Sequence, residues 1–227
     1  MGNTSNKRRN KRAWTWGIVL LLILLVISFI VSKTGDKVDP ASFTDVEIIA
    51  DSAHVKGNLE SEIRLIEYSD FQCPACRAAA PAIEDLVENF GEQFVLEYRN
   101  FPLRQIHPNA QIAAQAAEAA AMQGKFWEMH DKLFEKQEEW AQSFNPDRFF
   151  RGYAKELGLN VDRFRFDLES DEVKNHVNSD ADEAAALGIP GTPGFVYDGE
   201  IIDINTFITE NLQAIEVNEA ENAEITE

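Results

Sequence analysis

Two cysteines, Cys73 and Cys76, are the whole thiol supply of a 227-residue chain, and they sit together in FQCPACR at 71–77. A CxxC pair can do three kinds of chemistry. It can exchange disulfides, supply half of a metal site, or act as a small structural clasp. A metal site needs two further soft donors at matching distances. No other cysteine exists, and His54, His107, His130 and His176 form no short-spaced pair. A disulfide across two residues closes a very small loop and restricts the unfolded chain little. The surroundings favour redox exchange: the apolar run IRLIEY (63–68) reads as a strand, and a helical pattern follows the pair.

A thiol at a helix N-terminus faces free backbone N–H groups and the positive end of the macrodipole. There a thiolate is stabilised, and its pKa can fall to roughly 3.5–7.5. Cys73 comes first and is the attacking or attacked sulfur. Cys76, one turn later, is placed to resolve a mixed disulfide. Pro74 suits the first helical position, where its missing N–H costs nothing. Ala75 brings no charge or hydrogen bond of its own, which predicts a less extreme redox potential than a histidine there would give. Such exchange needs no organic cofactor and no metal, and none is expected. No oxygen-ligand loop of the calcium kind is present.

The elements that must hold this pair can be read in order. Val46 to Ala50 reads as a first edge strand, HVKGN (54–58) as a turn, and 63–68 as a strand. A helix then runs to about Asn89, with Pro81 expected to kink it and Gly91 to end it. QFVLEYRNF (93–101) is the next strand. Residues 107–140 are Ala-rich and helical with an interruption at Gly124, and His107 marks the start of that helix. Phe126, Trp127, Met129, Leu133 and Phe134 carry core spacing within it. Three more helices follow, over 145–159 and the stretches VDRFRFDLES and DEVKNHVNSDADEAAALG. GIPGTPGFVYDGEII (188–202) reads as two strands around Asp198-Gly199, and a last helix covers roughly 204–215. A βαβ start and a ββα finish flank a helical block, which describes an α/β fold with a central sheet. Thr192-Pro193 stands just before a strand, where a cis bond can occur although a trans turn is the ordinary reading.

With HVKGN, IEYSDFQCPAC, EYRNFPL, the 107–134 stretch and LGIPGTPGFVYDG in view, the chain resembles the DsbA-type branch of thioredoxin-fold thiol–disulfide oxidoreductases over roughly 46–215. The resemblance implies a thioredoxin fold with a helical domain inserted at about 105–187. It implies that Cys73 is the nucleophile, Cys76 the resolving thiol, and Thr192-Pro193 a cis-proline loop that binds substrate backbone beside Pro74 and Ala75. Glu67 matches a buried acid beneath the pair that moves a proton for the resolving thiol. The competing reading is a strand-end glutamate facing water, and Arg99 is the candidate basic partner. Gly194 stands where a β-branched residue is more usual. The family also implies exported protein substrates with thiols or disulfides, and a membrane redox partner that reoxidises the pair. An oxidase is the leading reading. A reductase or isomerase, or a non-catalytic peptide-binding chaperone on the same fold, are the alternatives.

The rest of the sequence bears on location. The formal net charge is −18. Without the N-terminal cluster Lys7, Arg8, Arg9, Lys11 and Arg12, 16 basic residues face 39 acidic ones. So acidic a body repels phosphate backbones and excludes nucleic acid as a partner. Residues 14–31 carry no charge, and at 1.5 Å per residue they reach about 27 Å, near the roughly 30 Å of a hydrocarbon core. Trp14 and Trp16 stand at the edge where indoles favour the interface. The basic residues before the run place 1–13 in the cytoplasm and the catalytic domain outside it. A cleaved signal peptide is the alternative. Residues 32–45 read as a linker and 216–227 as an acidic disordered tail. No dimerisation segment stands out, so the catalytic domain is expected to be monomeric.

Overall fold

The computed structural model describes residues 54–213. Within them a five-stranded sheet has the order β1-β3-β2-β4-β5. The strands are β1 (His54–Gly57), β2 (Arg64–Ser69), β3 (Val95–Asn100), β4 (Gly194–Tyr197) and β5 (Glu200–Ile202). β2 and β3 are parallel, and helix α1 (Pro74–Phe90) connects them. A parallel neighbour requires such a crossover, because a tight turn only reverses the chain. β1 and β4 flank this pair in antiparallel sense, and β5 completes the edge.

Six helices separate β3 from β4. They are α2 (Ala110–Ala121), α3 (Phe126–Glu135), α4 (Gln137–Trp140), α5 (Asp147–Glu156), α6 (Val161–Leu168) and α7 (Asp171–Leu187). α8 (Ile204–Phe207) follows β5 and runs into a π-helical turn, Ile208–Gln213. The architecture is a thioredoxin-like α/β fold with a helical insertion.

The pleat of β2 sorts side chains between two faces. Leu65 joins Leu96 and Phe195 in a core shared with Ile83 and Leu86 of α1 and Phe207 of α8. Ile66 and Tyr68 point the other way, onto Ala184 of α7 with Ile189 and Val196. The third and largest core belongs to the insertion and reaches the dithiol through Phe71 and Tyr98.

Several local expectations are corrected. HVKG is not a turn but β1, in register His54↔Tyr98 through Gly57↔Val95. The strand expected at Val46–Ala50, the anchor at 14–31, the linker and the acidic tail all lie outside the described residues. No helix among the described residues is long and apolar enough to cross a membrane. As expected, α1 carries Pro81 inside it, on the exposed side, and ends at Phe90 before Gly91. The helical stretch 107–140 breaks twice, at Gly124 (φ +72) and again at Lys136. Asp198 (φ 50) and Gly199 (φ 77) form the β4–β5 turn with both residues at positive φ, which suits the twist of a hairpin.

Gly57 is under a tight backbone constraint. Its φ is +95, and a Cβ there would lie 2.4 Å from the Phe94 carbonyl oxygen. Asn58 N also donates to Phe94 O at 3.0 Å and to Gly91 O at 2.7 Å, so the neighbouring chain has no room to give. Gly57→Ala should destabilise the fold by about 1–3 kcal/mol, the usual cost of such a conformation. Urea unfolding checks this, with an unchanged slope expected and a lower midpoint.

Candidate active site

β2 ends at Ser69, and the chain turns through Asp70, Phe71 and Gln72 into Cys73, the N-cap of α1. The turn is held by side chains that carry no reacting atom. Asp70 is fully buried. Its Oδ1 accepts the Gln72 amide at 2.7 Å, and its Oδ2 accepts the Leu103 amide at 2.9 Å and meets His107 Nδ1 at 2.7 Å. Gln72 Nε2 donates to Ala141 O at 2.7 Å, while its Oε1 accepts the Asn109 amide at 2.6 Å. Gln137 Nε2 donates to Phe71 O at 2.7 Å and to Cys73 O at 3.0 Å. The insertion therefore grips the approach to the dithiol through His107, Asn109, Gln137 and Ala141. His107 does more than open a helix, since it ties the loop after β3 to Asp70.

Both cysteines are free thiols. Cys73 keeps 7% of its surface exposed and Cys76 1%, so an incoming sulfur reaches Cys73 first. Pro74 takes the first turn of α1 and is exposed along with Ala75. The Thr192–Pro193 bond is cis. The loop it forms lies against the first thiol, with Cys73 Sγ donating to Thr192 O at 3.4 Å. Pro74, Ala75, Thr192 and Pro193 thus frame Cys73 from two sides.

The two sulfurs ionise in opposite directions. The Cys76 thiol donating to Cys73 lowers the Cys73 pKa most, and the Thr192 hydroxyl and the Ala75 and Cys76 amides assist; burial opposes them, and the result is about 5. The Thr192 carbonyl favours the protonated thiol, but it is one acceptor against several donors. Cys76 is pushed well above the ordinary thiol range, first by burial and then by its hydrogen bond to Cys73. The pair is therefore a thiolate at Cys73 and a thiol at Cys76 near neutral pH.

Glu67 is 4% exposed, which removes the reading of a water-facing strand end. Burial raises its pKa to about 7, with Ser69 and Lys56 pulling the other way. Arg99 is not its partner. That guanidinium lies on the α7 side of the sheet and pairs with Glu97, Asp180 and Glu183. The Ser69 hydroxyl favours the ionised forms of Glu67, Cys76 and Tyr98, and so stands among all three, although it makes no hydrogen bond of standard geometry. Ser69, Asp70, Gln72 and Gln137 were not singled out from sequence. The first three flank the CxxC directly, which is the signal available for them. Gln137 comes from another element and had none.

Gly194 has a packing reason. It pairs with Tyr68, and a Cβ there would lie 2.4 Å from Ile189 Cγ2. Ile189 fills the space that a β-branched residue would need.

The family model described as thioredoxin matches residues 50–216. The chain belongs to the thioredoxin family. Its helical insertion gives the domain the DsbA-like form of that fold, with a dithiol at the start of α1. A thioredoxin-like oxidoreductase from Silicibacter pomeroyi DSS-3 superposes with a TM-score of 0.59 at 28% identity, over 71% of this chain and 91% of that one. BdbD from Bacillus subtilis, in its oxidised form, superposes with a TM-score of 0.61 at 21% identity, over 71% and 90%. Among curated proteins, a Na(+)/H(+) antiporter NhaA 1 of Mycolicibacterium vanbaalenii is 32% identical over 203 residues, 86% of this chain and 32% of the relative. An NhaA 3 of Salinispora tropica is 40% identical over 154 residues, 68% of this chain and 23% of the relative. The chain thus spans about a quarter to a third of the length of these curated relatives.

The lowered Cys73 pKa sets a pH dependence. An acid whose folded pKa lies below its ordinary value stabilises the folded state above the ordinary value, here 9.0, and that contribution is lost as pH falls through about 5. The alkylation rate of reduced protein by iodoacetamide should accordingly rise with a midpoint near pH 5. Mass spectrometry should find the label on Cys73, with Cys76 unlabelled at pH 7. A midpoint near 9 would remove the dipolar stabilisation described here.

Proposed function

We propose that the chain is a membrane-tethered, extracytoplasmic dithiol oxidase that introduces disulfides into exported proteins. The observation that carries the reading is the stabilised Cys73 thiolate at the start of α1, under the Thr192–Pro193 loop. Whatever stabilises the reduced pair makes its disulfide a stronger oxidant, because the couple gains free energy on accepting two electrons.

Starting from the Cys73–Cys76 disulfide, a substrate thiolate attacks Cys73 Sγ. The S–S bond breaks, and Cys76 leaves with the bonding pair and takes a proton. Glu67, titrating near 7, is half protonated at neutral pH and can supply that proton by way of Ser69. A second substrate thiolate then attacks the substrate sulfur of the mixed disulfide and expels Cys73 as a thiolate. Two electrons have passed from substrate to enzyme. The low pKa of Cys73 makes it a good leaving group in this step. The exposed edge formed by Pro74, Ala75 and the Thr192–Pro193 loop is where the substrate backbone lies. A membrane partner reoxidises the pair, and the uncharged segment 14–31 with its basic N-terminal flank supports the tether.

Equilibration with glutathione should place the reduction potential at or above about −180 mV, between protein disulfide isomerase and the strongest oxidants. A value near thioredoxin's, about −270 mV, overturns the oxidase reading. Cys73→Ser should abolish disulfide transfer to a reduced model protein, and absence of transfer by the unaltered chain removes catalysis altogether. For the tether, the protein should stay in the membrane fraction through carbonate extraction and leave it when residues 14–31 are deleted. Full solubility of the intact chain counts against an anchor.

A further inference from the structure

A second cluster of chemistry-bearing side chains lies away from the dithiol. His54 of β1, Glu118 of α2 and His176 of α7 each offer one donor atom, and these atoms lie within 4.8 Å of one another. His54 Nε2 is 2.9 Å from both Glu118 carboxylate oxygens, and His176 Nε2 is 3.6 Å from Oε2. We propose that His54, Glu118 and His176 form a binding site for a divalent transition metal of the zinc type, which fastens the first strand to the helical insertion.

Four observations carry this. The first is the donor set. Two imidazoles and one carboxylate suit zinc, with a fourth position left for water. Donors on tetrahedral zinc sit about 2.0–2.2 Å from the ion, hence about 3.3–3.5 Å apart. The present separations bracket that range, and His176, whose side chain is 44% exposed, can swing the remaining distance.

The second is the setting of Glu118. It is the sole charged residue of α2, whose sequence is AQIAAQAAEAAA, yet it is 5% exposed. A buried carboxylate in an alanine helix calls for positive charge.

The third is what holds Glu118. Asn100 Nδ2 donates to Oε1 at 2.6 Å, which leaves Oε2 facing both imidazoles. Outer hydrogen bonds of this kind orient a metal-binding carboxylate. The same Asn100 amide, at 3.1 Å, and the Asn100 backbone N–H, at 2.9 Å, hold Asp180 Oδ2. Asp180 is thereby occupied and remains 4.0 Å from His176 Nε2. His54 in turn is fixed by stacking on Phe126, with ring centroids 3.4 Å apart.

The fourth is charge. Ion pairs connect Glu118 through His176, Asp180 and Arg99 to Glu183, Glu97 and Arg64. Four carboxylates face two guanidiniums in this network. The excess of two negative charges equals the charge of a divalent cation.

The site is distinct from the redox centre. Phe126, Tyr98 and Phe71 form an aromatic chain between them, with centroid separations of 5.3 and 5.4 Å. The role assigned is therefore structural and does not depend on the oxidase reading.

The test uses the full-length chain carrying Cys73→Ser and Cys76→Ser, so that the CxxC cannot bind zinc. After treatment with chelator, Zn2+ is titrated by calorimetry, and Co2+ is followed by visible absorption. One equivalent of each metal should bind, the cobalt complex should lack a thiolate charge-transfer band, and zinc should raise the thermal midpoint. His176→Gln, at a half-exposed position that leaves the fold intact, should weaken zinc binding by at least about tenfold. Glu118→Gln, which keeps shape and hydrogen bonding, should do the same. The proposal is overturned if no saturable binding occurs, if both variants bind zinc as the parent does, or if Mg2+ or Ca2+ competes with zinc at equal affinity.

Discussion

The dithiol depends on one constraint: a negative charge must be held on Cys73 with little water to solvate it. The leading interactions that do so are all dipolar. They come chiefly from the Cys76 thiol and the Ala75 and Cys76 amides, with the Thr192 hydroxyl nearby but making no hydrogen bond of standard geometry. Each has value only at a fixed distance, because a hydrogen bond weakens steeply as its geometry opens. The rest of the domain supplies that geometry. β2 and β3 carry α1 to a set position, β4 delivers the Thr192–Pro193 loop, and Asp70, Gln72 and Gln137 lock the turn between strand and helix. An arrangement built on a lysine or arginine would tolerate looser packing, since a full charge acts over longer range.

Burial also explains the asymmetry of the pair. The same helix turn that exposes Cys73 to donors places Cys76 inward, at 1% exposure. One thiol is ready as leaving group and the other stays protonated as a donor. Glu67, Ser69 and Tyr98 sit on the inner side, where Glu67 titrates within reach of neutral pH. Under the proposed exchange, the groups that handle protons lie on the inner side of the pair and the incoming sulfur on the outer side.

The strand–CxxC–helix unit was legible because its parts are contiguous. The apolar run at 63–68 alternates correctly, Pro74 marks the first helical turn, and the amphipathic pattern of α1 carries through Pro81. The hairpin at Asp198-Gly199 was equally plain, since both positions require positive φ. β1 escaped notice because a four-residue strand with a glycine has the composition of a turn. It is a strand only because β3 offers it a register. Glu67 showed its burial only through its neighbours: the α1 face of the sheet covers it, and nothing in IRLIEY says which face that is. Arg99 is the candidate basic partner of Glu67 in the sequence, but the pleat sends it to the opposite face, with Glu97 and Asp180. The His54–Glu118–His176 cluster was hidden for a related reason. Its members are 64 and 58 residues apart and belong to three elements, so no spacing rule can join them.

Helix α2 has one more consequence. Eight of its twelve residues are alanine, and all but one of those alanines are buried. Alanine surrenders no rotamer freedom when it is covered, and it has the highest intrinsic helix propensity. α2 therefore needs less help from its neighbours to form than any other helix of the insertion. It packs against α3, α5, α6 and α7 once they arrive. Its high propensity lowers what that packing must supply, although a helix of this length still depends on its neighbours. Its amides are then expected to be among the slowest in the domain to exchange with solvent deuterium.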